Sequence, residues 1–240
     1  MIFSKFKKKL IFVIGSGRSG THLLGRTFGN SPEIETFIEE DKFFLPITEL
    51  AAGLNKNASD FDDILSLYKK EFKKSKKKYI LEKTHPNIWF VEKIHEYFPK
   101  AQFIGIKRNV YATVASMLNH DGVLSWYKRI PLDEENSFLG INRNNLKTFK
   151  DLPLESKCAI RWKAHVDRLD YLSEKFPEHV LVINYEDFYD RYPDLMNELK
   201  AFLDTDFEIH SEPLNVKGKD KWREQLTDKE IENIDKAIRV

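Results

Sequence analysis

The sequence holds one cysteine, Cys158, in 240 residues. It can therefore form no internal disulfide and no cysteine-rich zinc site. Long apolar runs are missing as well. A bilayer span needs roughly 18 such residues, whereas Leu10-Ile11-Phe12-Val13-Ile14 stops after five, at Gly15. Lys5, Lys7, Lys8 and Lys9 precede that run as in a secretory signal, but no small-residue cleavage site follows it. These absences lead us to expect a cytoplasmic chain with no transmembrane segment. An excess of one charge is missing too, since Lys+Arg 39 against Asp+Glu 38 leaves +1. No bulk field draws the chain to nucleic acid or to a membrane. Any bound anion must be met by a local cluster. What is present, 41% hydrophobic, 13% aromatic and 32% charged residues, excludes a disordered or collagen-like chain. At this length the sequence fits one domain.

Leu10 to Ile14 reads as a buried parallel strand, short, apolar and ended by glycine. A helix is expected from Thr21 to about Gly29, before the break at Ser31-Pro32, and another from Phe61 to Phe72. The lysine-rich run 73–78 reads as a solvated loop. Tyr79-Ile80-Leu81 is a second strand and Ile88 to Phe98 a helix; Gln102 to Ile106 is a third strand and Val110 to Leu118 the helix after it. Residues 121–157 are polar and too long for a simple connection, which suggests a lid or acceptor-binding insertion. A long helix from about Glu155 to Phe176, a fourth strand over Val180 to Ile183 and a helix from about Pro193 to Leu203 follow. The alternation predicts a single α/β domain, with a mainly parallel central sheet flanked by helices.

The first strand runs into Gly15-Ser16-Gly17-Arg18-Ser19-Gly20-Thr21-His22 and then a helix. In that context a glycine-rich loop lets backbone N–H groups converge on an anion, aided by the helix N-terminus. The Gly15-to-Gly20 spacing matches an ATP-binding P-loop, but Thr21 and His22 stand where lysine and the Mg²⁺-holding Ser/Thr belong. The cation sits inside the loop instead, as Arg18, whose guanidinium can bridge two phosphate oxygens. No metal requirement is expected. Two further strand ends carry Lys107-Arg108-Asn109, with Ser116 about two helical turns on, and Tyr185-Glu186-Asp187. Ligands collect at such carboxyl ends in α/β sheets.

These pieces, in this order, resemble the sulfotransferases that use 3′-phosphoadenosine 5′-phosphosulfate (PAPS). The resemblance is carried by residues 15–24 (GSGRSGTHLL), 82–86 (EKTHP), 103–117 (FIGIKRNVYATVASM) and 182–188 (VINYEDF). It implies a P-loop-like nucleotide-binding fold. It also implies sulfuryl transfer from PAPS to an acceptor hydroxyl, with a carbohydrate or small metabolite favoured by the chain's compactness. By analogy Gly17, Arg18, Ser19, Gly20, Thr21 and His22 would hold the 5′-phosphosulfate, Arg108 and Ser116 the 3′-phosphate, and Tyr185 the adenine. A sulfuryl group carries less charge than a phosphoryl group, so fixed cations such as Arg18 can take the place of a metal.

The acceptor must lose its proton to a base, and three residues compete for that part. Lys83-Thr84-His85 resembles the Lys-Thr-His of the cytosolic branch, whose histidine is the base; Lys83 is either a nearby charge or solvated. The tyrosylprotein and bacterial branch instead carries a glutamate shortly after the first helix, which falls on Glu39 without a gap or on Glu40 with one inserted residue. Near the C-terminus, a basic glycine-containing segment with Lys217, Lys219 and Lys221 could close over the 3′-phosphate. Trp162 and Trp222 read as packing residues. The rival readings are a P-loop kinase or nucleotidase with a degenerate loop, and a non-catalytic nucleotide-binding protein of the same fold.

Overall fold

The central strand of the sheet is the one with the most continuous apolar run. β1 (Lys9–Gly15) is buried from Leu10 onward, as a parallel strand covered on both faces requires. β3 (Tyr79–Lys83) and β4 (Gln102–Lys107) flank it, while β2 (Ile34–Ile38) and β5 (Val180–Asn184) form the edges. The computed structural model describes residues 8–54, 61–205, 207 and 219–239. Within them the order is β2-β3-β1-β4-β5, and every pairing is parallel.

The period-two alternation of β1 divides the core. Leu10, Phe12 and Ile14 face one apolar layer. It is completed by α3 (Phe61–Lys74) and α4 (Val91–Tyr97) and by Leu169 and Leu172 of the long α8 (Leu154–Lys175). Ile11 and Val13 face a second layer under α1 (Thr21–Gly29) and α10 (Tyr192–Leu203). α5 (Val110–Leu118) packs on α8 together with α11 (Asp228–Ile238). The Thr227 hydroxyl caps α11, and Glu230 returns the bond in a capping box.

Among the elements that escape the sequence reading are β2 and α2 (Asp41–Ala51). β2 is an edge strand with only Ile34 and Phe37 buried, so it shows no apolar run. α2 carries Pro46 inside it, a residue that normally argues against a helix. The helix expected from Ile88 begins instead as a 3-10 turn over His85–Trp89, before α4.

The 121–157 segment is a packed layer rather than an open loop. It contains α6 (Asp121–Arg129) and α7 (Leu146–Phe149). Ile130, Phe138, Leu139, Ile141 and Phe149 build an apolar cluster of their own beside Ala52. The short α9 (Asp187–Asp190) follows β5. Among the described residues no helix is long and apolar enough to cross a membrane.

Candidate active site

Each of the five strands ends, at its carboxyl edge, on a residue singled out by the sequence. Glu39 follows β2, Lys83 ends β3 with His85 just beyond, the glycine loop follows β1, Arg108 follows β4 and Tyr185 follows β5. A parallel sheet collects these ends along one side of the molecule.

The β1, β4 and β5 ends build a cationic half. Arg18 Nε donates to Ser116 Oγ at 3.0 Å. Arg108 Nη1 donates to the Arg18 carbonyl at 3.2 Å, and the Arg108 guanidinium lies 4.4 Å from the Tyr185 ring centroid. Arg18, Arg108, Ala112, Ser116, Lys221 and Trp222 line a cavity of about 240 Å³. Burial lowers the Arg18 pKa, and the neighbouring charge of Arg108 lowers it further. That mutual repulsion is relieved when an anion enters between them. Gly20 is indispensable to the contact with Tyr185. Its φ is +104°, and a Cβ there would run into the Tyr185 ring, so alanine would both strain the loop and displace the aromatic.

Within the loop, the Ser19 hydroxyl is bonded to the Ser16 carbonyl at 2.7 Å. The Ser19 N–H turns to the same carbonyl at 3.2 Å, so the hydroxyl and the amide of Ser19 are both engaged within the loop. Thr21 is buried at the start of α1, where the first-turn N–H groups have no carbonyl ahead of them.

The β2 and β3 ends build the other half around one carboxylate. Glu39 Oε1 receives His85 Nδ1 at 2.7 Å and a very short bond from Lys83 Nζ. Its Oε2 lies 3.3 Å from His22 Nε2, and Lys83 Nζ reaches His22 Nδ1 at 2.9 Å. Burial raises the Glu39 pKa, but the His85 hydrogen bond, with Lys83, outweighs it and holds the carboxyl at about 2. Glu39 is therefore an anion, and the donors around it fix the tautomers. His85 carries its proton on Nδ1, which leaves the Nε2 lone pair free. That nitrogen faces the loop, 3.3 Å from where a Gly17 Cβ would stand. Burial pushes the His85 pKa down to about 4, only partly offset by Glu39, so the imidazole is neutral at pH 7.

Arg18 and Glu39 both have positive φ, 73° and 48°, in a region non-glycine residues seldom enter. Such strain concentrates at functional sites. Glu40, one residue on, is turned outward to Lys42 at 2.8 Å and stands apart from the Glu39–His85 pair. Lys83 is not solvated, with a side-chain exposure of 0%. Behind it, Glu82 is buried and accepts from Thr84 and Asn87; burial raises its carboxyl to about 7. These bonds hold the Lys83-Thr84-His85 turn in shape.

At the C-terminal end, Lys221 lines the cavity. Lys219 is paired with Asp190 at 2.6 Å instead, and Lys217 lies outside the described residues. Trp162 donates to the Arg108 carbonyl at 2.9 Å, which fits the packing role expected of it. Trp222 stacks on Tyr111 yet also lines the cavity. Asn119 and Gln225 line it as well and were not foreseen. Asn119 was within reach, being three residues from Ser116 on one helix face; Gln225 had no signal, because the C-terminal fold-back brings it there.

Residues 11–208 match the family model described as Sulfotransferase family. The chain belongs to the sulfotransferase family. No curated protein matches the sequence significantly. Among solved structures, the sulfotransferase domain from the curacin biosynthetic pathway superposes with a TM-score of 0.59 at 14% identity, covering 97% of this chain and 98% of that one. The sulfotransferase domain of the Synechococcus olefin synthase gives 0.59 at 14%, covering 97% and 96%. A sulfotransferase from Alicyclobacillus acidocaldarius gives 0.54 at 19%, covering 97% and 96%. At such identities the likeness is one of fold. It extends over the whole sulfotransferase domain in each case.

Proposed function

We propose that this sulfotransferase uses PAPS as donor and a hydroxyl group as acceptor, with His85 as the general base and Glu39 as the residue that orients it. The observation that carries this reading is the Glu39–His85 hydrogen bond of 2.7 Å, which leaves the His85 Nε2 lone pair facing the phosphate-type loop. Bound PAPS supplies an electrophilic sulfur and a phosphate leaving group. As the acceptor oxygen forms its bond to sulfur, the sulfur–oxygen bond to the 5′-phosphate breaks and the acceptor proton passes to His85 Nε2.

Glu39 stabilises the imidazolium that results, as a buried carboxylate does in a carboxylate–histidine pair. Lys83, held by Glu39 and His22, adds fixed positive charge beside the transferring group. The loop N–H groups and the Thr21 hydroxyl meet the 5′-phosphate, with Arg18 neutralising charge that grows on it. Arg108, Ser116 and Lys221 take the 3′-phosphate, and Tyr185 takes the adenine. The cavity fits these groups chemically. Among the described residues it gathers two guanidiniums, an ammonium and a hydroxyl with no carboxylate in its lining. The 121–157 layer, whose Phe138 packs against Arg161 and His165, is proposed to receive the acceptor.

The test is transfer of radiolabelled sulfuryl from PAPS to a panel of hydroxyl acceptors in the presence of EDTA. Transfer that persists in EDTA is expected. Activity that depends strictly on Mg²⁺ and on ATP would assign the chain to kinase chemistry, and PAP binding without turnover on any acceptor to a non-catalytic role.

A further inference from the structure

One buried cation has no part in the chemistry above. Arg161, in the middle of α8, is 1% exposed, and its Nε and Nη1 have no hydrogen-bond partner. Its charge senses Tyr127 and Cys158, and the Tyr127 side chain hydrogen-bonds to it. Both are neutral at pH 7, since burial raises the tyrosine and pushes the thiol up to about 11. Among the described residues no Asp or Glu forms an ion pair with it. The guanidinium rests 4.4 Å from the Phe138 ring centroid, a partial compensation at best. A buried charge without a counterion is expensive to keep.

Two neighbours share the deficit. His165, one turn along α8, donates from Nδ1 to the Arg161 carbonyl at 2.8 Å. Because a carbonyl only accepts, its Nε2 carries a lone pair, and that atom is buried without a partner. The Trp89 ring lies 5.1 Å from that of His165, and its Nε1–H is also buried and unpartnered. Phe138, from the 121–157 layer, closes the group at 6.0 Å from His165. Arg161 disfavours a proton on His85, and His85 would disfavour one on His165. Trp89 ends the 3-10 turn that His85 begins. The cluster thus stands beside the proposed base.

We infer that this cluster anchors the acceptor, and that the acceptor is a hydroxylated organic anion. Its carboxylate or sulfate-like oxyanion pairs with Arg161 and Trp89 Nε1–H, a neighbouring O–H or N–H is received by His165 Nε2, and its reacting hydroxyl lies at His85. The inference rests on the reading of His85 as base. A wholly apolar acceptor would leave the guanidinium uncompensated in the closed complex.

Thermal unfolding of the PAP-saturated protein tests this at constant ionic strength, with acetate, inorganic sulfate and neutral acetamide as probes. In the wild type, acetate or sulfate should raise Tm saturably, and acetamide should not. A response to acetate alone identifies a carboxylate, and one to sulfate alone a sulfate- or phosphate-like group. Arg161→Met should abolish the response, leave PAP binding intact and keep or raise the Tm of the free protein, because it removes an unpaired charge. No anion response in the wild type, or the same response in R161M, would overturn the inference. Failure of both R161M and Arg161→Gln to fold would make the guanidinium structural and overturn it too. Failure of PAP to bind the wild type is a separate result. It would sink the proposed function, and the inference with it.

Discussion

Replacing His85 with alanine lowers kcat by about 10²- to 10⁴-fold, the usual worth of a positioned general base, while PAP binding survives because His85 belongs to the β3 end. Its pH dependence has a definite sign. Burial pushes the His85 pKa down to about 4, so kcat/KM of the wild type falls on the acid side as the imidazole gains a proton there. Glu39, held at about 2, remains ionised through that fall. Its hydrogen bond and charge raise the His85 pKa against burial. Glu39→Gln should therefore shift the acid limb to lower pH while reducing kcat, since the imidazole loses its orienting anion. An H85A variant with undiminished kcat, or an acid limb that moves upward in E39Q, would contradict the assignment. Single-turnover transfer across the pH range supplies the measurement.

Arg108→Ala should weaken PAP by about 10- to 150-fold, since a charge-assisted hydrogen bond is worth about 1.5–3 kcal/mol. It also removes the guanidinium packed on the Tyr185 ring, and with it a support for the proposed adenine platform. ATP lacks the 3′-phosphate, so it should lose only what passes through the adenine platform, a smaller factor than PAP loses. Calorimetric titration of both ligands into both proteins reads the effect directly. Equal losses for PAP and ATP would mean that Arg108 holds the fold of the loop rather than the phosphate.

The cationic half was legible in the sequence because its anchors stand just after apolar strands. Gly15, Arg108 and Tyr185 could be assigned to strand ends from local pattern alone, and a parallel sheet brings such ends together. Ser116 was reachable by counting helical turns. The base side was legible only as a set of rivals. Glu39 follows β2, an edge strand with two buried residues, so its position along the strand had no strong apolar pattern to fix it. What separates Glu39 from Glu40 is a backbone turn with φ of 48° at Glu39. That turn sends one carboxylate to His85 and the next to Lys42. The two family-derived alternatives, glutamate and histidine, are in fact bonded partners, a relation between residues 46 apart that no local pattern carries. Arg161 was hidden for a similar reason. On a long helix of mixed charge nothing in the sequence marks it, and its packing against Phe138 from residues 121–157 is a tertiary contact.

Calorimetric titration of the wild-type protein with PAP and with adenosine 5′-monophosphate, in EDTA, tests most directly whether the β1, β4 and β5 ends grip a nucleotide phosphorylated at two positions. PAP should bind at least tenfold more tightly, and at a hundred times its Kd it should add about 2.7 kcal/mol to stability. Indistinguishable affinities for the two nucleotides would contradict the account.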